Sequence, residues 1–173
     1  EKMGGCIDVE SVHGEGSTFT FRLPFKVNDV LIQKEERNES SEKPLAGMHF
    51  LLAEDNEINM EIAEFYLTDL GATVSKAWNG KEALELFEAS EPESYDVILM
   101  DVMMPEMDGH EATQRIRALK RPDTQTVRIV AMTAQTSEDS IHKCLDAGMD
   151  GHIAKPINEE KILSALHKNI ETE

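Results

Sequence analysis

From Gly47 onward the chain repeats one pattern five times: a short run of strand character, then a longer stretch with helical period. The runs fall at residues 48–53, about 73–77, 95–100, 127–132 and about 151–154. Between and after them the apolar residues recur every three or four positions: Ile58, Ile62 and Phe65; Ala83, Leu84 and Phe87; Ala112, Ile116 and Leu119; Ile141 and Leu145; Leu163, Leu166 and Ile170. Such spacing puts each set on one face of a helix. Strands alternating with helices demand right-handed crossovers, which yield a parallel sheet with helices on both faces. The first, third and fourth runs are nearly all apolar, as central strands covered on both sides must be. The second, "TVSKA", is more polar and fits an edge. The expected fold is therefore α/β, a doubly wound five-stranded parallel sheet of order 2-1-3-4-5. Helix punctuation agrees, with Gly71 and Gly148 at C′ positions and Ser137 as an N-cap.

In an open parallel sheet the working site lies at the carboxyl ends of the strands, near the point where strand order reverses. The first strand ends in Glu54 and Asp55, the third in Asp101, the fourth in Thr133 and the fifth in Lys155 before Pro156. Each alone has a plain structural explanation, such as a cap or a turn. Together they aim four polar positions at one rim. Two unit charges about 4 Å apart repel by about 4 kcal/mol at an effective dielectric near 20, so three carboxylates accumulate about 10 kcal/mol. That rivals the stability of a whole domain, and a cation must offset it. Hard carboxylate oxygens with few protein ligands suit magnesium.

Asp101 is then placed to act as a nucleophile toward a phosphoryl group, with the metal and Lys155 offsetting the charge that gathers in transfer. A phosphoaspartyl group brings about −2 and Glu54 with Asp55 a further −2, against +2 from magnesium and +1 from Lys155. Thr133 offers a hydroxyl to a phosphoryl oxygen.

The blocks "LLAEDNEIN", "VILMDVMMPEMDG", "IVAMTA" and "GHIAKPI" resemble those of a response-regulator receiver domain, in the family's order, over about residues 47–170. The resemblance implies that Asp101 is the phosphoacceptor. It implies that Asp55 and the backbone carbonyl of Met103 bind Mg²⁺ with Asp101, Glu54 acting mainly through water. It also implies that Thr133 is the switch hydroxyl and Lys155 the phosphate-contacting lysine, with a cis bond before Pro156, an isomer that only ~5% of X-Pro bonds adopt. Where many members carry the Tyr or Phe that moves with the switch Thr, this chain has His152, an imidazole that would add pH sensitivity. Residues two beyond the phosphoacceptor and two beyond the switch Thr, here Met103 and Gln135, vary phosphoryl lifetime in the family.

The stretch "MGGCIDVESVHGEGSTFTFRLPF" alternates apolar and polar residues about a turn holding Gly14 and Gly16, a hairpin signal. It resembles the last segment of a histidine-kinase ATP-binding domain. Residues 1–25 are thus expected to be such a C-terminal remnant, 26–46 a charged, Ser-containing linker with a helical turn at its start, and 47–173 the receiver domain. That order implies a hybrid sensor kinase as the parent. A hairpin alone cannot bury its apolar face.

Other features narrow the company the chain keeps. With 34 acidic against 17 basic side chains its formal charge is −17, which opposes direct binding to nucleic acid or an anionic membrane. Cys6 and Cys144 share no metal-ligand or redox spacing. No apolar run approaches the ~18 residues of a membrane span. The expected location is cytoplasmic, and a hybrid-kinase parent is compatible with an anchor in the inner or plasma membrane. "DNEINMEIAEF" lacks the Gly that an acidic calcium loop requires at its sixth position and has helical period instead. The six His residues show no common ligand spacing. The receiver resemblance implies a donor histidine elsewhere, on a phosphotransfer protein or on a kinase phosphohistidine domain.

Three functions remain open on the sequence. The first is a phosphoryl-accepting receiver module. The second is a receiver-like interaction module that is never phosphorylated. The third, a phosphatase with an aspartate nucleophile, needs a second acid two residues on, where this chain has Met103.

Overall fold

The computed structural model describes residues 4–14, 16–24, 43–135 and 137–167, which belong to two compact units, Glu1–Ser41 and Glu42–Glu173. In the first unit, β1 (Cys6–Val12) pairs antiparallel with β2 (Gly16–Arg22). The register sets Ile7 opposite Phe21 and Val9 opposite Phe19. Strand alternation puts these four residues on one face, and all four are exposed. The expected linker lies almost wholly outside the described residues, helical turn included, and so does Ile170.

The second unit is a parallel sheet of five strands: β3 (His49–Ala53), β4 (Thr73–Ala77), β5 (Val97–Asp101), β6 (Arg128–Thr133) and β7 (Gly151–Ala154). Their spatial order, β4-β3-β5-β6-β7, is the expected 2-1-3-4-5. Strand periodicity divides the apolar side chains between two cores. Phe50, Leu52, Leu99, Val130 and Met132 face α1 (Glu57–Asp69) and α5 (Glu159–His167). Leu51, Ile98, Met100, Ile129 and Ala131 face α2 (Gly80–Ala89), α3 (Gly109–Ala118) and α4 (Glu138–Asp146). Strand β5 is buried at every position, and β4, at the edge, has only Ala77 buried.

The caps match the chemistry of helix ends. Asn56, Asn79, Asp108 and Ser137 each accept an N–H three residues on, at the starts of α1 to α4. Gly71 and Gly148 follow α1 and α4 with φ of +98° and +97°, where a side chain would be strained. At the amino ends of the strands, Arg121 pairs with Asp123 at 2.7 Å and lies 4.2 Å from the Phe87 ring centroid. Its guanidinium holds the Asp123 carboxyl below the usual range. This packing ties α2 to the segment after α3, remote from the opposite rim.

Two helices turn a different face inward from the one expected. Helix α1 buries Met60, Ala63 and Leu67 and leaves Ile58, Ile62 and Phe65 exposed. Both sets satisfy helical spacing, and the smaller set fits the close approach of helix to sheet. Likewise α4 buries Cys144 and leaves Leu145 exposed. In α5 the fully buried residue is Ile162, with Leu163 and Leu166 only partly covered.

This arrangement separates two helical phenylalanines, Phe87 buried on α2 and Phe65 exposed on α1. Phe87→Ala should cost about 3–5 kcal/mol in urea unfolding, whereas Phe65→Ala should stay within about 0.5 kcal/mol of the parent.

Candidate functional site

The carboxyl ends of β3, β5, β6 and β7 bring the expected residues to one rim. Glu54 follows β3 directly, Asp101 closes β5, Thr133 closes β6 and Lys155 follows β7. Glu54 is 1% exposed and Asp101 5%, while Asp55 is open to solvent. One carboxylate oxygen from each of Glu54, Asp55 and Asp101 lies within 4.8 Å of the others. The Lys155 ammonium donates to Glu54 Oε2 and to Asp101 Oδ2, both at 2.6 Å. The Lys155–Pro156 bond is cis.

Local sequence explains why Asp101 can sit so near the interior. The loop after it returns at once to start α3, and the Gly109 N–H donates to the Val102 carbonyl at 3.1 Å. A β-carbon at Gly109 would collide with the Asp101 carbonyl oxygen, so only glycine lets α3 begin directly behind the carboxylate. Asp108 caps that helix by accepting the Glu111 N–H at 2.8 Å. On its front side Asp101 Oδ1 accepts the Met103 N–H at 3.2 Å. The Met103 side chain is 78% exposed.

The electrostatics are those of a site short of positive charge. Burial is the strongest influence on the Asp101 carboxyl and pushes it up; the Lys155 hydrogen bond pulls it down, the Glu54 charge pushes it up again, and the balance leaves it raised. Burial alone would depress the Lys155 ammonium, but its bonds to Asp101 and Glu54 prevail and hold it above its ordinary value. Three carboxylates and one ammonium carry a formal charge of −3 + 1 = −2, which one divalent cation cancels. An all-oxygen donor set that opens to water through Asp55 fits a hard cation of the magnesium type.

The remaining candidates are placed less centrally. Thr133 Oγ1 donates to the Gln135 carbonyl and accepts the Gln135 N–H, both at 3.0 Å, so the hydroxyl closes a turn in its own loop. Gln135 Oε1 in turn accepts from Ser140 Oγ at 3.2 Å, in the first turn of α4. His152 pairs with Ala131 across the sheet and lines a groove of about 330 Å³ with Asn158, Lys161 and Ser164. Among the described residues no hydrogen bond joins His152 to Thr133. Cys6 is exposed, Cys144 is buried, and both are free thiols.

Sequence reasoning missed two residues. Asn59 Nδ2 donates to Glu54 Oε1 at 2.9 Å. Lys161 Nζ donates to the Ala154 and Pro156 carbonyls at 2.9 and 2.7 Å, holding the backbone on either side of Lys155. The position of Asn59, three residues beyond the N-cap Asn56, is the signal that was available.

Comparison with known proteins places these features in a family. The model for the response regulator receiver domain matches residues 50–167. Probable histidine kinase 2 of Oryza sativa is 42% identical over 137 residues, 73% of this chain and 13% of the kinase. The aerobic respiration control sensor protein ArcB of Escherichia coli K12 is 33% identical over 173 residues, all of this chain and 21% of ArcB. The chain thus spans about a fifth or less of the length of these relatives. Among solved structures, the receiver domain of the sensor histidine kinase PA1611 from Pseudomonas aeruginosa PAO1 is 36% identical with a TM-score of 0.63, covering 71% of this chain and 97% of that one. It was solved with a magnesium ion coordinated in its active-site cleft. The chemotaxis protein CheY4 of Vibrio cholerae is 28% identical, also with a TM-score of 0.63, covering 70% and 97%.

A carboxyl whose folded pKa lies above its unfolded value weakens the fold when ionised, and the weakening fades as pH falls below the folded value. Asp101→Asn should therefore raise the melting temperature of the metal-free protein at neutral pH, and the gain should shrink on acidification. Thermal melts in chelator at neutral and acidic pH check both parts.

Proposed function

The chain belongs to the response regulator receiver domain family, and on that footing we propose that it accepts a phosphoryl group from a phosphohistidine onto Asp101, as one station of a two-component phosphorelay. The observation that carries this reading is the Lys155 ammonium bridging Glu54 and Asp101 at 2.6 Å within a cluster of three carboxylates.

In the reaction, Asp101 Oδ attacks phosphorus, the phosphorus–nitrogen bond breaks, and the imidazole leaves to take a proton from water. Asp101 is suited to this because its own strand end and the Met103 N–H fix its orientation before the donor arrives. Lys155 is suited to exchange its bond on Asp101 Oδ2 for one to a phosphoryl oxygen while keeping its bond to Glu54. Thr133 is assigned the second phosphoryl contact, which requires its hydroxyl to leave the Gln135 turn. Asp55, Asp101, the Met103 carbonyl and Glu54 through water are the groups assigned to hold Mg²⁺, which when bound supplies positive charge to the transferring oxygens. His152 is assigned to the switch with Thr133, and Met103 and Gln135 to phosphoryl lifetime.

The histidine kinase and the sensor protein among the relatives, each matching a receiver-bearing stretch, support a hybrid kinase as the parent. Under this reading residues 1–25 end an ATP-binding domain whose remaining strands cover Ile7, Val9, Phe19 and Phe21. Residues 26–46 link it to the receiver, 47–173. The donor is assigned as a histidine-containing phosphotransfer protein or a kinase phosphohistidine domain. It docks on the exposed Ile58, Ile62 and Phe65 of α1 and on the loop after Lys155. No described helix is long and apolar enough to cross a membrane; the receiver is assigned to the cytoplasm.

Incubation with radiolabelled acetyl phosphate should label the protein only when Mg²⁺ is present, and Asp101→Asn should abolish the label. Lys155→Met should slow labelling by at least about 100-fold, the scale on which a lost charge-stabilising donor acts. Undiminished labelling of Asp101→Asn would refute the assignment. A protein that refuses label yet binds partners would instead be the unphosphorylated interaction module.

A further inference from the structure

Glu54 is enclosed to 1% exposure, so its two oxygens depend on protein donors. One donor is Lys155 on Oε2. The other is Asn59 on Oε1, at 2.9 Å. A carboxylate only accepts, so the amide nitrogen is the end of Asn59 that faces it. Among the described residues these are the two side chains bonded to Glu54.

The start of α1 fixes Asn59 in that role. The N-cap Asn56 accepts the Asn59 N–H through Oδ1 at 3.1 Å. In an ordinary capping box the third residue of the helix reaches back to the backbone N–H of the cap. Here the side chain of that third residue reaches past the cap to the carboxylate at the end of β3. The helix cap and the acidic cluster are therefore one hydrogen-bonded unit. Asn59 also lines a small cleft, about 40 Å³, together with Ile62, Lys155, Pro156 and Ile157.

We propose that Asn59 is a positioning residue of the acidic site, whose amide fixes the Glu54 carboxylate so that its second oxygen meets Lys155 and its charge faces the cation that the three carboxylates accept. This rests on the reading of the cluster as a divalent-cation site. With Asn59 gone, Glu54 keeps a single donor and is free to rotate about its terminal bonds. It then follows Lys155 alone, and the buried charge no longer points in a fixed direction. Outer-shell partners of a metal site typically change its affinity by 10–100-fold, and Asn59, which acts on a carboxylate assigned to the ion through water, belongs at the low end of that range.

Calorimetric titration of the full chain with MgCl₂ alone tests the proposal, with thermal melts in chelator alongside. Asn59→Leu, which keeps the size of the side chain and removes the donor, should weaken Mg²⁺ binding about 10-fold. Its metal-free melting temperature should fall as well, because a buried carboxylate oxygen loses its donor. Asn59→Gln, which keeps the NH₂ group and so restores the donor, should recover most of the affinity and is the variant that separates positioning from bulk packing. Asn59→Ser, too short to reach Glu54, should behave as the Leu variant and serves if that variant folds poorly. Parental Mg²⁺ affinity in the Leu or Ser variant overturns the proposal. So does an equal loss in all three variants, which marks a merely structural asparagine. If the parent itself binds no Mg²⁺, the cation-site reading fails and this inference falls with it. Parental binding with unaltered variants removes the role of Asn59 alone.

Discussion

One ammonium between two carboxylates governs this molecule. Lys155 reaches Glu54 and Asp101 at the same 2.6 Å, and without it two nearly buried acids would face one another with no counter-charge. Breaking a buried pair by removing one partner leaves an uncompensated charge, a cost of several kcal/mol. The compensation is still partial, because Asp101 remains harder to ionise than an ordinary aspartate and Asp55 adds a third negative charge. A fold of this kind is incomplete by charge alone and has affinity for whatever cation its oxygens can surround. Function and instability share one source here, as in many sites that hold like charges together.

The architecture makes that concentration possible. Parallel strands all end at the same rim, so four consecutive strand ends deliver side chains from residues 54 to 155 to one place without any loop having to carry them. The buried parts lie behind and below: the apolar positions of β5, the glycine contact at the start of α3, and the Arg121–Asp123–Phe87 cluster at the far end of the sheet. The parts that lie open are in front, namely Asp55, Met103 and the exposed face of α1.

Much of this was legible in the residues. Central strands announce themselves because burial on both sides forbids polar residues, so the stop at Asp101 or Glu54 marks a strand end as well as a site. Glycines 71 and 148 were legible because only glycine relaxes at positive φ. The inward face of α1 was not legible. Ile58, Ile62 and Phe65 and the set Met60, Ala63 and Leu67 both recur with helical period, and size alone favours the wrong one. The hydrogen bond of Asn59 escaped for a different reason: it joins residues five apart across a cap, and no apolar rhythm encodes it. The turn that the Thr133 hydroxyl closes with Gln135 was not legible either, because a Ser or Thr beside a loop finds backbone groups within easy reach whatever else it is read to bind.

That engaged hydroxyl has a consequence for how the loop after β6 can behave. Thr133 does not wait with an idle donor for something to arrive. Any new acceptor must compete with the Gln135 carbonyl for the hydroxyl proton, and winning leaves that carbonyl without its donor, while the Gln135 N–H keeps its bond for as long as the hydroxyl oxygen stays in place. Redirecting the Thr133 proton is thus a cost borne inside its own loop, at the carbonyl two residues on.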